Sequence, residues 1–298
     1  MKTSTKIKFY LLWWNAKIFG HLPFRIQYLF SDFLYLILYY IIGYRKKVIR
    51  ENLLHSFPEK SEKERLGIEK RFYRHLADIF VETIMLASFS EKEIKERMIY
   101  TNIEVFQKFN NKRPTIAAMG HYGAWEYTIG YSLNTTNPVK AVYHPLKDQA
   151  VELFYHKMRS RFGTKPIPMK DTAREVITET HKGNNCIVAL IADQTPPKPL
   201  IKNWIPFLHQ PTPFIMGMEK LALKFNMPVI FMDIQRVKRG YYSVTFSVLY
   251  DGEEKVEELE ITRRYAATLE QIIRRTPHLW IWSHKRWKHK PENYNNSK

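Results

Sequence analysis

The chain has a single cysteine, Cys186, so it holds no internal disulfide. Cys186 stands in the apolar run Cys186-Ile187-Val188-Ala189-Leu190, which predicts a buried, inert thiol rather than a nucleophile. No Cys/His cluster stands at metal-ligand spacing, and no metal is expected. Acidic residues are scarce: 29 Asp and Glu face 47 Lys and Arg, a formal charge of +18. Such a surface favours polyanions, whether nucleic acid, anionic lipid or a phosphorylated substrate. No helix-turn-helix or finger pattern accompanies the charge, so nucleic acid is not the expected partner. Long apolar runs are missing too. The cleanest one, Phe33 to Tyr44, is shorter than the roughly 20 residues a bilayer span needs. The amino terminus lacks the long apolar stretch and small-residue cleavage site of a signal peptide. There is no internal repeat, no low-complexity linker and no clear domain boundary.

The 298 residues are 45% hydrophobic and 26% charged, which is ordinary for a folded protein, and 14% aromatic, which is high. From Ile99 onward strand patterns alternate with helical ones. That order predicts an α/β fold with a central, mainly parallel sheet flanked by helices. Residues 1–44 read as an amino-terminal helical, membrane-associated segment, 45–290 as the chemical domain and 291–298 as a polar tail without order. Phe24 to Tyr44 is apolar and aromatic, broken by Arg25 and Asp32, and Arg45-Lys46-Lys47 follows at once. An interfacial or shallowly inserted helix is preferred here, with a true span and a buried core helix as the alternatives.

The stretch Pro114 to Tyr127, PTIAAMGHYGAWEY, organises the rest. Thr115 to Met119 is short and apolar, a buried strand. It breaks at Gly120 and presents His121, a flexible Gly123 and Glu126. In open parallel sheets ligands bind at the carboxyl ends of strands, where His121 would sit. A bend at Gly123 brings Glu126 within reach of the imidazole. A carboxylate on one ring nitrogen makes the other a general base. Spacing alone leaves the alternative of a loop-capping His and a solvated Glu.

A second strand, Cys186 to Ala192, ends in Asp193-Gln194-Thr195-Pro196, and a parallel sheet would bring these residues near His121. Taken alone, Asp193 also suits a turn before Pro-Pro. A third strand, Lys140 to His144, closes at Pro145. Ser61-x-x-Glu64 and Ser90-x-x-Glu93 read as capping boxes opening helices. The helix from Asp148 to Phe162 carries Lys157, Arg159 and Arg161 on one face, solvated or docking an anionic lipid. The chain closes with Pro277-His-Leu-Trp-Ile-Trp-Ser-His-Lys-Arg-Trp-Lys288, where tryptophans interleaved with cations suit a membrane interface or a phosphate-bearing ligand.

His121-Tyr-Gly-Ala-Trp-Glu126 resembles the His-x4-Asp/Glu motif of glycerolipid acyltransferases. More closely it resembles the His-aromatic-Gly-Asn-Trp-Glu form of the lipid A late acyltransferases, the lauroyl/myristoyl transferase family. Ala124 stands where that family usually has Asn. The resemblance extends, in order, through Arg45 or Arg50 with Asn52-Leu53 and Phe57-Pro58, through Asp193-Gln194, and to the Trp-x-Trp ending with Arg286. His144 replaces the Arg of the family's Tyr-Arg-Pro, and Pro206 to Thr212 only partly keeps its Phe-Phe-Gly…Thr pattern. The resemblance implies an O-acyltransferase that moves a fatty acyl chain from an acyl carrier protein thioester to a hydroxyl of a lipid A precursor, in lipopolysaccharide biosynthesis. His121 would be the base and Glu126 its orienting carboxylate. His144, Asp193, Gln194 and Arg286 would bind substrate. No cofactor is implied beyond the acyl carrier protein as co-substrate. The implied partners are that carrier, a phosphorylated glycolipid and the anionic cytoplasmic face of the bacterial inner membrane. No Ser or Cys nucleophile accompanies the His, which favours direct transfer. Two alternatives stay open: the same chemistry on another glycolipid or an aminolipid, and a non-enzymatic basic protein binding membrane or nucleic acid.

Overall fold

The structure, a computed structural model, describes residues 2–293. Of the expected polar tail, residues 294–298 lie outside the described residues, and Pro291–Asn293 form a 3-10 turn.

The chain opens with helices α1 (Thr3–Gly20), α2 (Phe24–Leu36), α3 (Lys46–Ser56), α4 (Glu62–Met85) and α5 (Glu91–Arg97). Then follow β1 (Met98–Tyr100), α6 (Ile103–Asn110), β2 (Thr115–Met119), β3 (Val139–Tyr143), α7 (Gln149–Arg159), β4 (Lys165–Pro168), α8 (Thr172–His181) and β5 (Ile187–Ile191). A small hairpin, β6 (Ile205–Phe207) and β7 (Gln210–Thr212), precedes α9 (Gly217–Phe225), β8 (Val229–Lys238), β9 (Tyr241–Tyr250) and α10 (Glu260–Arg275). Among the described residues seven strands form one sheet in the order β1-β9-β8-β2-β5-β3-β4. Only β8–β9 is antiparallel. The expected mainly parallel α/β sheet is present.

β2 is the central strand of the seven, between β8 and β5, and all five of its residues are buried. Its alternate side chains face two different cores, as the two-residue period of a strand requires. Ile116 and Ala118 join Val188, Phe231, α3, α9 and α10 on one face. Ala117 and Met119 join Ile230, Met232, α1, α6 and α7 on the other. Each fully buried Ile, Phe or Met in these layers stabilises the fold by about 1.5–3 kcal/mol relative to exposure. Both Ser capping boxes form: Ser61 with Glu64 opens α4, and Ser90 with Glu93 opens α5.

The amino-terminal helices pack on this body. α1 lies against α7 and α4, and α2 lies along α4. Only a minority of their side chains turn inward: Trp13 and Ala16 from α1, Gln27, Ser31 and Tyr35 from α2. The outward stripe is apolar, with Ile7, Leu11, Trp14 and Ile18 on α1 and Leu29, Phe33 and Leu36 on α2. After α2 a π-helical turn, Ile37–Ile41, leads through Gly43 and Arg45, both in the left-handed region, into α3. The chain bends there by 88°. A left-handed Arg is uncommon; this one is held by its guanidinium, which donates to the Ser283 carbonyl at 2.9 Å. Among the described residues no single helix is long and apolar enough to cross a membrane, although the bent pair Phe24–Ile41 and Lys46–Ser56 passes the same test together.

The expected basic face of α7 is not a free docking surface. Arg159 pairs with Glu126, Arg161 donates to the Leu86 and Phe89 carbonyls, and Lys157 lies over the Trp13 ring at 4.4 Å. All three cations hold elements of the protein to one another.

Glu82 joins α2, α4 and β9 from a fully buried position. It accepts from Tyr28 Oη at 3.0 Å and from Tyr242 Oη at 2.9 Å. Burial, with Asp78 nearby, pushes its carboxyl up from 4.5 to about 7. A carboxyl raised on folding favours the folded state below its unfolded value, and that contribution is lost as pH rises through the folded value. We predict that between pH 4.5 and pH 8 the protein loses on the order of 3 kcal/mol relative to its Glu82→Gln variant. Denaturant unfolding of both proteins across this range measures the difference. Parallel stability profiles would refute the assignment.

Candidate active site

His121 follows β2 and Asp193 follows β5, and these two strands are hydrogen-bonded neighbours in register, Met119 opposite Ile191. The parallel pairing therefore delivers both residues to the same carboxyl edge. Tyr265 on α10 ties the two strand ends together: its hydroxyl donates to the Met119 carbonyl at 2.8 Å and accepts from the Ala192 N–H at 3.3 Å.

The contact expected between His121 and Glu126 is not made. The carboxylate on the imidazole is Asp193, whose Oδ1 lies 2.6 Å from His121 Nδ1. Asp193 Oδ2 accepts from the His121 backbone N–H at 2.8 Å and from Trp280 Nε1 at 2.8 Å. The Asp193 side chain is completely buried, while the His121 side chain keeps 19% exposure. Burial alone pushes the Asp193 carboxyl up, but the His121 charge and three donors outweigh it and hold it below its usual value. Glu126 is aimed elsewhere because the segment after Gly123 is a 3-10 helix, Trp125–Asn134. It grips Arg159 of α7 through both carboxylate oxygens, with Arg159 Nε at 2.9 Å.

Two glycines make this geometry possible. A Cβ on Gly120 would fall 2.6 Å from Leu269 Cδ1 and 3.3 Å from Asp193 Oδ2, so a side chain there would push Leu269 aside and crowd the carboxylate. Gly123 has φ +61°, and a Cβ there would fall 3.1 Å from the Ile234 carbonyl.

The other imidazole nitrogen is free to accept. Gln194 Nε2 stands 3.2 Å from His121 Nε2, and Trp125 packs its ring at 5.3 Å from the imidazole. With Asp193 accepting from Nδ1–H, Nε2 carries the lone pair, and the Gln194 amide donates to it. Nε2 is therefore the atom that can take a proton.

The remaining expected residues fall into two groups. Asp193 and Gln194 converge on His121. His144 ends up exposed beyond β3, on the same sheet edge but across β5, with its Nδ1 3.1 Å from the neighbouring Pro145 carbonyl. Arg286 is not presented to a substrate pocket: it is wholly buried, its Nη2 donates to the Pro213 carbonyl at 2.6 Å, and it lies over the Phe214 ring at 4.6 Å. Burial lowers its pKa to about 10, with Asp193 acting in the opposite sense. The buried guanidinium thus sits where its field favours the Asp193 anion.

The tryptophans of the carboxyl terminus are likewise internal rather than interfacial. Trp280 and Trp282 are fully buried and packed edge to face at 4.7 Å. The segment runs beside the His121 loop, with Gly123 N–H donating to Leu279 O at 3.0 Å and Ile281 N–H donating to His121 O at 3.2 Å. Asn52 of α3 donates to the carbonyls of Trp282 and His284 at 2.8 and 3.0 Å. His284 accepts from the Thr195 N–H at 3.1 Å, and burial beside Arg286 lowers its pKa to about 4, keeping it neutral. Trp280 as a donor to Asp193 and Arg159 as the partner of Glu126 were missed in the sequence. Both residue types were visible there, but their partners lie 87 and 33 positions away.

A family model described as bacterial lipid A biosynthesis acyltransferase matches residues 2–289. Among curated proteins none matches the chain.

The site predicts its own tautomer. In the unaltered protein, nitrogen NMR of labelled histidine should show His121 protonated on Nδ1 when neutral. Asp193→Asn should move the population toward Nε2–H, since an amide no longer selects the donor nitrogen. A neutral ring already protonated on Nε2 in the unaltered protein would overturn the arrangement.

Proposed function

The chain belongs to the bacterial lipid A biosynthesis acyltransferase family, and from that premise we propose that it transfers a fatty acyl chain from an acyl carrier protein thioester to a hydroxyl of a lipid A precursor. The family implies acyl transfer. The observation that carries the mechanism is the imidazole held by Asp193 on one nitrogen with the other turned outward.

In this reading the acceptor hydroxyl replaces the Gln194 amide at His121 Nε2. His121 takes the hydroxyl proton as the oxygen attacks the thioester carbonyl carbon. Asp193 stabilises the imidazolium that forms. The tetrahedral oxyanion collapses, the carbon–sulfur bond breaks, and the departing sulfur takes the proton back from His121. Nothing is left attached to the protein. In the same reading the displaced Gln194 amide, which stands 3.2 Å from His121 Nε2, donates to the oxyanion, a contribution of the kind worth about 10²–10³-fold in rate. Glu126 positions rather than activates: it keeps Arg159 charged and fixed under the loop that carries Trp125. The basic surface, +18 in all, supports attraction to the acidic carrier protein and to lipid phosphate. The apolar outer stripe of α1 and α2 supports attachment to the cytoplasmic face of the inner membrane, at about 1 kcal/mol for each well-placed cation on an anionic leaflet.

Mass spectrometry of lipid A from a host lacking its own late acyltransferases tests the acceptor. One added acyl chain is expected with the unaltered protein and none with His121→Ala. An unchanged lipid A, with folded protein on the membrane, would redirect the search to other glycolipids or aminolipids. The roles of the two carboxylates separate in kcat/KM. Asp193→Asn should lower it by about 10²–10⁴-fold, because an amide neither fixes the His121 tautomer nor stabilises the imidazolium that forms. Glu126→Gln should lower it less, because Glu126 touches Arg159 and not the imidazole. A larger loss for Glu126→Gln than for Asp193→Asn would make Glu126 the orienting carboxylate after all.

A further inference from the structure

Away from His121, a cavity of about 580 Å³ opens between α2, α4, the far end of β8 and the turn at His278. Four arginines line it: Arg71 and Arg74 from α4, Arg236 from β8 and Arg239 from the β8–β9 turn. Two of them form a fixed floor. Buried Asp78 accepts from Arg236 Nη2 at 2.9 Å and from Arg239 Nε at 2.9 Å, and Ser31 Oγ donates to the same carboxylate at 2.7 Å. Asp32 holds the outer side of Arg239 at 2.6 Å. The other two, Arg71 and Arg74, have no carboxylate partner among the described residues; Arg74 rests over the Tyr35 ring at 5.1 Å. Four guanidiniums against two carboxylates leave an excess of two positive charges in one concavity. His278 does not add to it, since burial and the neighbouring arginines lower its pKa to about 4.

One wall of the cavity is apolar. Tyr35 and Leu36 of α2 line it, and the outward stripe of the same helix continues from them through Phe33 and Leu29. A ligand seated here has its anionic end among guanidiniums and its remainder along exposed hydrocarbon. The charge excess matches a phosphate monoester, which carries −1.5 to −2 at neutral pH. Guanidinium forks suit phosphate oxygens in geometry as well as charge. A soluble phosphate ester would leave the apolar wall unused.

We propose that this arginine-lined cavity is a second, non-catalytic site that binds the phosphate monoester headgroup of a membrane lipid, with the lipid's chains running along α2. The site shares an edge of the sheet with His121 but none of its residues, and it does not depend on the transfer chemistry. It converts a general attraction to anionic surface into recognition of one headgroup and fixes how the protein sits on the bilayer.

Flotation of the full chain with vesicles tests this. Three compositions are needed: phosphatidylcholine alone, and the same with phosphatidylglycerol or phosphatidic acid at matched surface charge. The unaltered protein should bind the phosphatidic acid vesicles more tightly than the phosphatidylglycerol ones. The double variant Arg71→Gln/Arg74→Gln should lose about thirtyfold in affinity for phosphatidic acid vesicles, the order expected for two basic contacts, and should no longer distinguish the two lipids. These two arginines are exposed on α4, so their loss leaves the floor pair on Asp78 intact. The control Lys112→Gln/Lys182→Gln removes the same charge at the opposite, amino edge of the sheet and should retain the preference. Equal losses in both double variants would reduce the effect to net charge and overturn the site. Absence of any preference in the unaltered protein would do the same. Displacement from phosphatidic acid vesicles by glycerol 3-phosphate at submillimolar concentration would overturn the lipid assignment in favour of a soluble ester.

Discussion

A single buried carboxylate organises the edge of the sheet where the candidate active site lies. Asp193 has no exposed surface, and an unpartnered anion there would be prohibitively costly. It is tolerated because three donors converge on it: the ring and backbone N–H of His121 and the indole of Trp280. Their convergence draws on several levels of the fold. The pairing of β2 with β5 supplies His121, a glycine at 120 supplies the space, and the carboxyl-terminal segment supplies Trp280. That segment is anchored in turn by Asn52 and Arg45 of the amino-terminal half. The carboxylate thereby couples the two ends of the chain to the geometry of one imidazole.

The charge of the protein is less available than its total suggests. Many cations act as internal fasteners: Arg159 on Glu126, Arg161 on the end of α4, Arg236 and Arg239 on Asp78. Arginine suits this use because its planar fork makes several bonds at once and stays charged when partly buried. What remains free is not spread evenly. Near α2 the guanidiniums of Arg71 and Arg74, without a carboxylate partner among the described residues, adjoin an apolar helix face.

The amino-terminal helices link the two themes. They are neither a detached anchor nor a buried core. One side packs on α4 and α7, and the other presents an exposed apolar stripe. Their inward side is joined to the body by polar contacts, Tyr28 to Glu82 and Ser31 to Asp78, that are costly to break because they are buried. The exposed apolar face of these helices is thus rigidly tied to the sheet that carries His121 and Asp193.

The sequence alone determined the α/β class, the strand that presents His121, both Ser capping boxes and the buried state of Cys186. It also carried the family resemblance. Each of these rests on local information: hydrophobic period, breaker residues, short spacings. The sequence also placed Asp193 and Gln194 near His121, because adjacent parallel strands must bring their ends to one edge. What only tertiary structure decided is which carboxylate meets the imidazole. Glu126 is five residues away along the chain and Asp193 is 72, yet a 3-10 turn points the near one at Arg159 while a hydrogen-bonded neighbouring strand delivers the far one. The same holds for Trp280, for the buried Arg286 and for the arginine cavity, whose members are drawn from four separate segments. Side-chain pairing across such distances is set by strand order and by how helices pack on the sheet, and neither is written in the local pattern of residues.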